Sequence, residues 1–173
     1  MPVLASALLA LTCIAEHFEV SGHSMAPLVH HNTIVEVLPA TCLSPNTGDL
    51  AAFHTRANPR LVIKQIAGLP RQQAEFRPTP ENPRFYILFV EQAAVLTVRG
   101  NIYKFNARDK NLISRGILNN RLRGYLFIGQ RGSMDSTELG VIHAKQVVYV
   151  VTSISRAQRP SAGYSVSSIR SRD

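Results

Sequence analysis

Short runs of β-branched and aromatic residues, separated by clusters of Pro, Gly, Asn and Asp, recur along the chain from about residue 20. The runs are TIVEV from Thr33, DLAAF from Asp49, LVIKQI from Leu61, FYILFV from Phe85, LTVR from Leu96, IYKF from Ile102, YLFI from Tyr125 and VVYVVT from Val147. LSPNTGD, RANPR, RPTPENP and GSMDS lie between them and have turn-forming compositions. Gly100-Asn101, between LTVR and IYKF, predicts a tight hairpin with a type II′ turn. Many short strands without alternating helices predict an all-β, mainly antiparallel domain. Two segments depart from the pattern. The run VLASALLALTCIA from Val3 to Ala15 is uncharged and reads as a short apolar helix. From about Ser153 the chain has few large apolar groups to offset the entropy of ordering, so disorder is expected there. The expected organisation is an apolar segment over 1–16, a β domain over 17–152 and a polar basic tail over 153–173.

Composition adds bounds. At 173 residues and 45% hydrophobic content, the chain has enough apolar material for one domain with a core. As a helix, residues 3–15 would cover about 20 Å, short of the roughly 30 Å hydrocarbon core of a bilayer. A secretory leader would have such a run, but also a basic stretch before it, which is missing. A short or truncated anchor, an atypical leader and a buried helix all remain open on these grounds. The net charge of +8 first suggests an anionic partner. However, no Lys or Arg precedes Arg56, the later ones are scattered, and four arginines fall in the tail. No nucleic-acid partner is therefore expected. Cys13 lies in the apolar run and Cys42 in a predicted loop, so no structural disulfide between them is expected.

The candidate chemistry centres on Ser24, in VSGHSMAPL. A serine hydroxyl needs a base to become a nucleophile. His23, His30 and His31 are near in sequence, and His54 and His143 are more distant candidates. The histidines lack the spacing of a familiar metal motif, so no metal and no cofactor is expected. Lysine is the other possible base. Val62 and Ile66 flank Lys64 on one strand face, where desolvation would disfavour the ammonium form. Lys104, between Tyr103 and Phe105, has a milder version of this setting, and position alone does not choose between the two.

The motifs carry a resemblance. SGHSMAP around Ser24, GDLAAF at 48–53, IKQIAGLP at 63–70 and SMDSTELG at 133–140 resemble, in order, the boxes of type I signal peptidases. These are membrane proteases with a Ser-Lys dyad, and the small size is similar to their pilin-maturation branch in conjugative transfer. The resemblance implies a signal-peptidase-like β fold, with Ser24 as nucleophile and Lys64 as general base. It implies that Ser133 orients the Lys64 amine, that Asp135 braces the site and that the Ser24 N–H helps bind the oxyanion. Gly22, Met25 and Val62 would contact substrate, bound as an added strand. Partners would be precursor proteins with signal peptides and the membrane lipid surface, reached also by an apolar surface near Met25, Ala26 and Pro27. The catalytic domain would stand on the extracytoplasmic side of the inner or cytoplasmic membrane.

Departures from the family pattern fall on the support residues. Gly22 replaces a serine that some members place two positions before the nucleophile, and Arg71-Gln72 follows Gly-Leu-Pro where Gly-Asp is usual. Gly129-Gln130-Arg131 stands where the last box opens Gly-Asp-Asn. Gln65 and Thr137 each remove a cation that would pair with Asp135, leaving Asp135 to be hydrated or paired with a different arginine. The function expected is removal of signal peptides after small residues from exported or pilin-like precursors. The alternative is a catalytically silent relative that binds exported peptides or scaffolds a secretion complex.

Overall fold

The apolar runs form antiparallel strands in the computed structural model, which describes residues 13–55 and 61–155. In chain order the elements are β1 (Glu16–Glu19), β2 (Ile34–Pro39), β3 (Leu50–Phe53), β4 (Val62–Gly68), β5 (Ala74–Pro78), β6 (Tyr86–Val90) and β7 (Ala93–Ala94). They continue with α1 (Ala107–Ser114), β8 (Ile117–Leu118), β9 (Arg121–Leu122), β10 (Leu126–Ile128), α2 (Ser136–Leu139), a 3-10 turn (Ala144–Gln146) and β11 (Val147–Ser155). The architecture is mainly β, as the strand pattern predicts.

The main sheet has the order β1-β2-β11-β3-β4-β10 with every pairing antiparallel. Alternation along β4 buries Val62, Lys64, Ile66 and Gly68, because side chains two apart share a face. β1 and β4 are separated by three strands, yet residues 17–22 and 61–64 line one cleft. The sheet is therefore rolled, bringing its β1 edge round to the start of β4. A second sheet, β5-β6-β7, packs Leu88 and Val90 with Tyr103, Phe105, Ile113 and Leu126. Under the first strands, Met25, Val29, Val35, Val37 and Leu50 form another cluster with Val98 from the second region.

Several expectations change. The predicted apolar helix over 3–15 lies mostly outside the described residues, but 13–15 are not helical and the sheet already starts at Glu16. At the other end β11 still pairs with β2 at Ser153, Ile154 and Ser155, where disorder is expected. The remainder of that tail is outside the described residues. The hairpin turn falls before Asn101: Thr97 N–H donates to Asn101 O at 2.7 Å, closing a three-residue loop with Gly100 at φ +82°. That loop length places its positive-φ residue third. Leu96 and Ile102 pair only as an isolated bridge. α1 is an addition; it begins with a capping box between Asn106 and Asp109.

Cys13 and Cys42 form a disulfide, with Cα atoms 5.7 Å apart, contrary to the sequence expectation. Cys13 does not continue a helix; it precedes the edge strand β1, which runs along β2 with Glu16 opposite Val37. That pairing carries Cys13 to the loop after β2, where Cys42 sits.

Candidate active site

Ser24 belongs to the loop between β1 and β2. This loop is shaped by its own hydrogen bonds, from Ala26 N–H to His23 O at 3.0 Å and from Val29 N–H to Met25 O at 3.0 Å. The buried Met25 and Val29 side chains anchor it in the core. Lys64 comes from β4, paired with Ala51 of β3. The fold spans the forty-residue separation and brings Lys64 Nζ to 2.5 Å from Ser24 Oγ, in a hydrogen bond.

Lys64 is only 4% exposed. Burial holds its pKa below the ordinary lysine value of 10.5, and the negative charge of Asp135 works in the opposite direction more weakly. An amine that gives up its proton more easily than usual, within reach of a hydroxyl, is suited to general-base work. The Ser24 N–H donates to no acceptor among the described residues, which leaves it available to a developing oxyanion.

Asp135 is fully buried and caps α2. Its Oδ1 accepts from Thr137 N–H at 2.8 Å and from the Thr137 hydroxyl at 2.7 Å; its Oδ2 accepts from Gly129 N–H at 2.8 Å. Burial raises its pKa, while these donors and the Lys64 charge pull it down. Among the described residues no arginine pairs with Asp135; these donors bind it instead, and Thr137 supplies two of them in place of a cation. Ser133 Oγ donates to Asp135 Oδ2 at 3.4 Å. No hydrogen bond joins Ser133 to the Lys64 amine among the described residues.

A cleft of about 820 Å³ contains Ser24, Lys64 and Ser133, with Gly22, Met25 and Val62 among its lining residues. Met25 is 2% exposed and belongs to the packed wall of the cleft, so of the expected apolar surface only the partly exposed Ala26 and the exposed Pro27 face outward. The histidines at 17, 23, 30, 31, 54 and 143 are exposed, and none hydrogen-bonds Ser24. His31 Nδ1 instead accepts from Gly22 N–H at 3.2 Å. Gln65, the other changed support residue, donates from Nε2 to Gly48 O at 3.1 Å, away from Asp135.

Two contributors appear in the sequence only as departures from the last box, with no role assigned. A Cβ on Gly129 would lie 2.6 Å from Ser133 Oγ and 2.8 Å from Lys64 Cδ, so only glycine leaves room for both. Gln130 touches the Ser24 loop directly, with its N–H donating to Ser24 O at 2.8 Å. The Gly-Gln-Arg departure in the last box was the available signal.

The family model for signal peptidase, peptidase S26, matches residues 1–155. The chain belongs to the signal peptidase family. A comparison with curated proteins finds no significant match. The matched span includes the rolled sheet, the cleft, Ser24 and Lys64. Among the described residues no helix is long and apolar enough to cross a membrane.

Proposed function

We propose that this signal peptidase family member is a membrane-associated serine endopeptidase with a Ser24–Lys64 dyad, cleaving exported or pilin-like precursors after small residues. The observation that carries the reading is the 2.5 Å approach of the buried Lys64 amine to Ser24 Oγ. Neutral Lys64 removes the Ser24 proton as Oγ attacks the scissile carbonyl. The Ser24 N–H supports the oxyanion, and Lys64 returns the proton to the leaving amine. A water activated by Lys64 then hydrolyses the acyl-enzyme. Asp135 and its donors hold the polar wall behind Lys64, with Ser133 bonded to the carboxylate.

Substrate would enter as a strand. Among the described residues β1 has β2 as its one pairing partner, and β4 has only β3 beside it at Val62–Lys64, since β10 pairs no further than Gln65. Two unpaired edges thus border the cleft, each with free backbone donors and acceptors for an extended peptide. Phe18, Val20, Met25, Leu61, Val62 and Ile63 make much of its lining apolar, which suits an uncharged segment. The Cys13–Cys42 disulfide fits an oxidising, extracytoplasmic location.

The test is cleavage of a pre-protein with an Ala-x-Ala site, in detergent, by wild type, Ser24→Ala and Lys64→Ala. Wild-type cleavage lost in both variants is the expected result. A folded wild type that neither cleaves several such precursors nor reacts with a serine-directed β-lactam or lipopeptide would overturn it.

A further inference from the structure

We propose that Gln130 is a positioning residue that sets the orientation of Ser24 by strapping its loop to the strand end behind Lys64. This inference rests on Ser24 being the nucleophile.

Gln130 makes two bonds to carbonyls two residues apart. Its backbone N–H donates to Ser24 O at 2.8 Å, and its side-chain Nε2 donates to Ala26 O at 3.0 Å. The first bond fixes the peptide plane that leaves Ser24. The second fixes the plane after Ala26, so the intervening Met25 cannot swivel without breaking one of them. The bonds within the loop define its own shape but do not set its angle to Lys64. That angle is set where the loop meets the rest of the protein: at the Met25 and Val29 packing and at Gln130.

The location of Gln130 makes the strap specific to the site. The preceding Gly129 donates its N–H to Asp135 and leaves room for the Lys64 stem. Two consecutive residues therefore touch Asp135, Lys64 and the Ser24 loop, across 104 positions of sequence in the case of Ala26. Small angular errors at reacting atoms cost rate without changing substrate affinity. Gln130 is not part of the cleft lining that holds the two free strand edges, so removing its side chain should leave peptide binding intact.

Replacing Gln130 by Ala or Glu leaves its N–H bond to Ser24 O in place, which keeps the loop attached while the side-chain bond is deleted. For Gln130→Ala the expected result is a kcat about tenfold lower, equivalent to about 1.4 kcal/mol, with KM within about twofold and the pH profile unmoved. Gln130→Glu keeps the shape but sets an acceptor against the Ala26 carbonyl, and should lower kcat at least as much. A wild-type kcat in folded Gln130→Ala and Gln130→Glu would overturn the proposal, as would a change confined to KM or to thermal stability. Ser24→Ala assayed beside them separates the two readings. If Ser24→Ala stays active, the nucleophile assignment has failed; if it is inactive while both Gln130 variants match wild type, only the strap has failed.

Discussion

Lys64 and Lys104 look alike in sequence, each set among large apolar residues, and the fold treats them in opposite ways. Lys64 shares its strand face with Val62 and Ile66 and is buried with them. Lys104 sits between Tyr103 and Phe105, which are buried while its own side chain is 52% exposed and paired with Glu81 at 2.9 Å. Extended chains alternate, so neighbours at i±1 report the face a residue does not occupy, whereas neighbours at i±2 report the face it does. Apolar residues beside Lys104 are thus an argument for its exposure. Apolar residues two away from Lys64 are an argument for its burial.

The largest effect should come from replacing each lysine by methionine. Lys64→Met removes the proposed base and should lower kcat/KM by about a thousandfold. It also removes the cost of burying an amine while Asp135 keeps its Thr137 and Gly129 donors, so stability to urea should rise by about 1 kcal/mol. Loss of activity with gain of stability is the signature of a functional buried charge. A destabilised Lys64→Met would break the comparison, because Lys64 would then be a structural member of the core.

Next in size is the response to pH. The proposed mechanism needs the neutral amine, so activity should rise with pH through the depressed pKa of Lys64 and level off below 10.5, the ordinary lysine value. Asp135 raises that pKa, so Asp135→Asn should move the rising limb to lower pH, at a stability cost of about 2 kcal/mol for disturbed hydrogen bonds. The signs for stability follow from proton binding. Between the depressed Lys64 pKa and 10.5 the unfolded chain binds more protons, so this group's contribution grows as pH rises. Asp135, raised above 3.8, binds its proton more readily in the folded state, so its contribution falls as pH rises through that window. A limb that moves to higher pH in Asp135→Asn would contradict the assigned direction of their coupling.

How far the sequence reveals such differences depends on whether the cause is local. The main-sheet strands β2, β3, β4, β10 and β11 are legible because β-branched residues and turn signals mark them. β1 is not: its sequence is Glu-His-Phe-Glu, largely exposed, and its order comes from β2 and from a disulfide to Cys42. α1 is missed because only Asp109 and Ile113 of its eight residues are buried, although its capping box was readable. At the site, Ser24, Lys64, Ser133 and Asp135 stand out through the resemblance of their motifs. Gly129 and Gln130 matter through space left open and through bonds to distant carbonyls; the sequence marks them only as a departure in the last box, without saying what they do. Thr137 shows the same limit: read as a lost cation, it is a double donor to Asp135.

The smallest effect completes the comparison. Lys104→Met deletes one exposed ion pair with Glu81, whose own side chain is 72% exposed. Such pairs contribute at most about 1 kcal/mol, and often nothing measurable. The Arg131 guanidinium bonds the Lys104 carbonyl at 2.7 Å, a contact that the substitution leaves in place. Stability should change by less than about 0.5 kcal/mol, and precursor cleavage should stay within about twofold of wild type. Both are read from urea denaturation and a time course run beside Lys64→Met. A large loss of cleavage in folded Lys104→Met would show that exposure and pairing with Glu81 do not disqualify a lysine here, and the division between the two would fail.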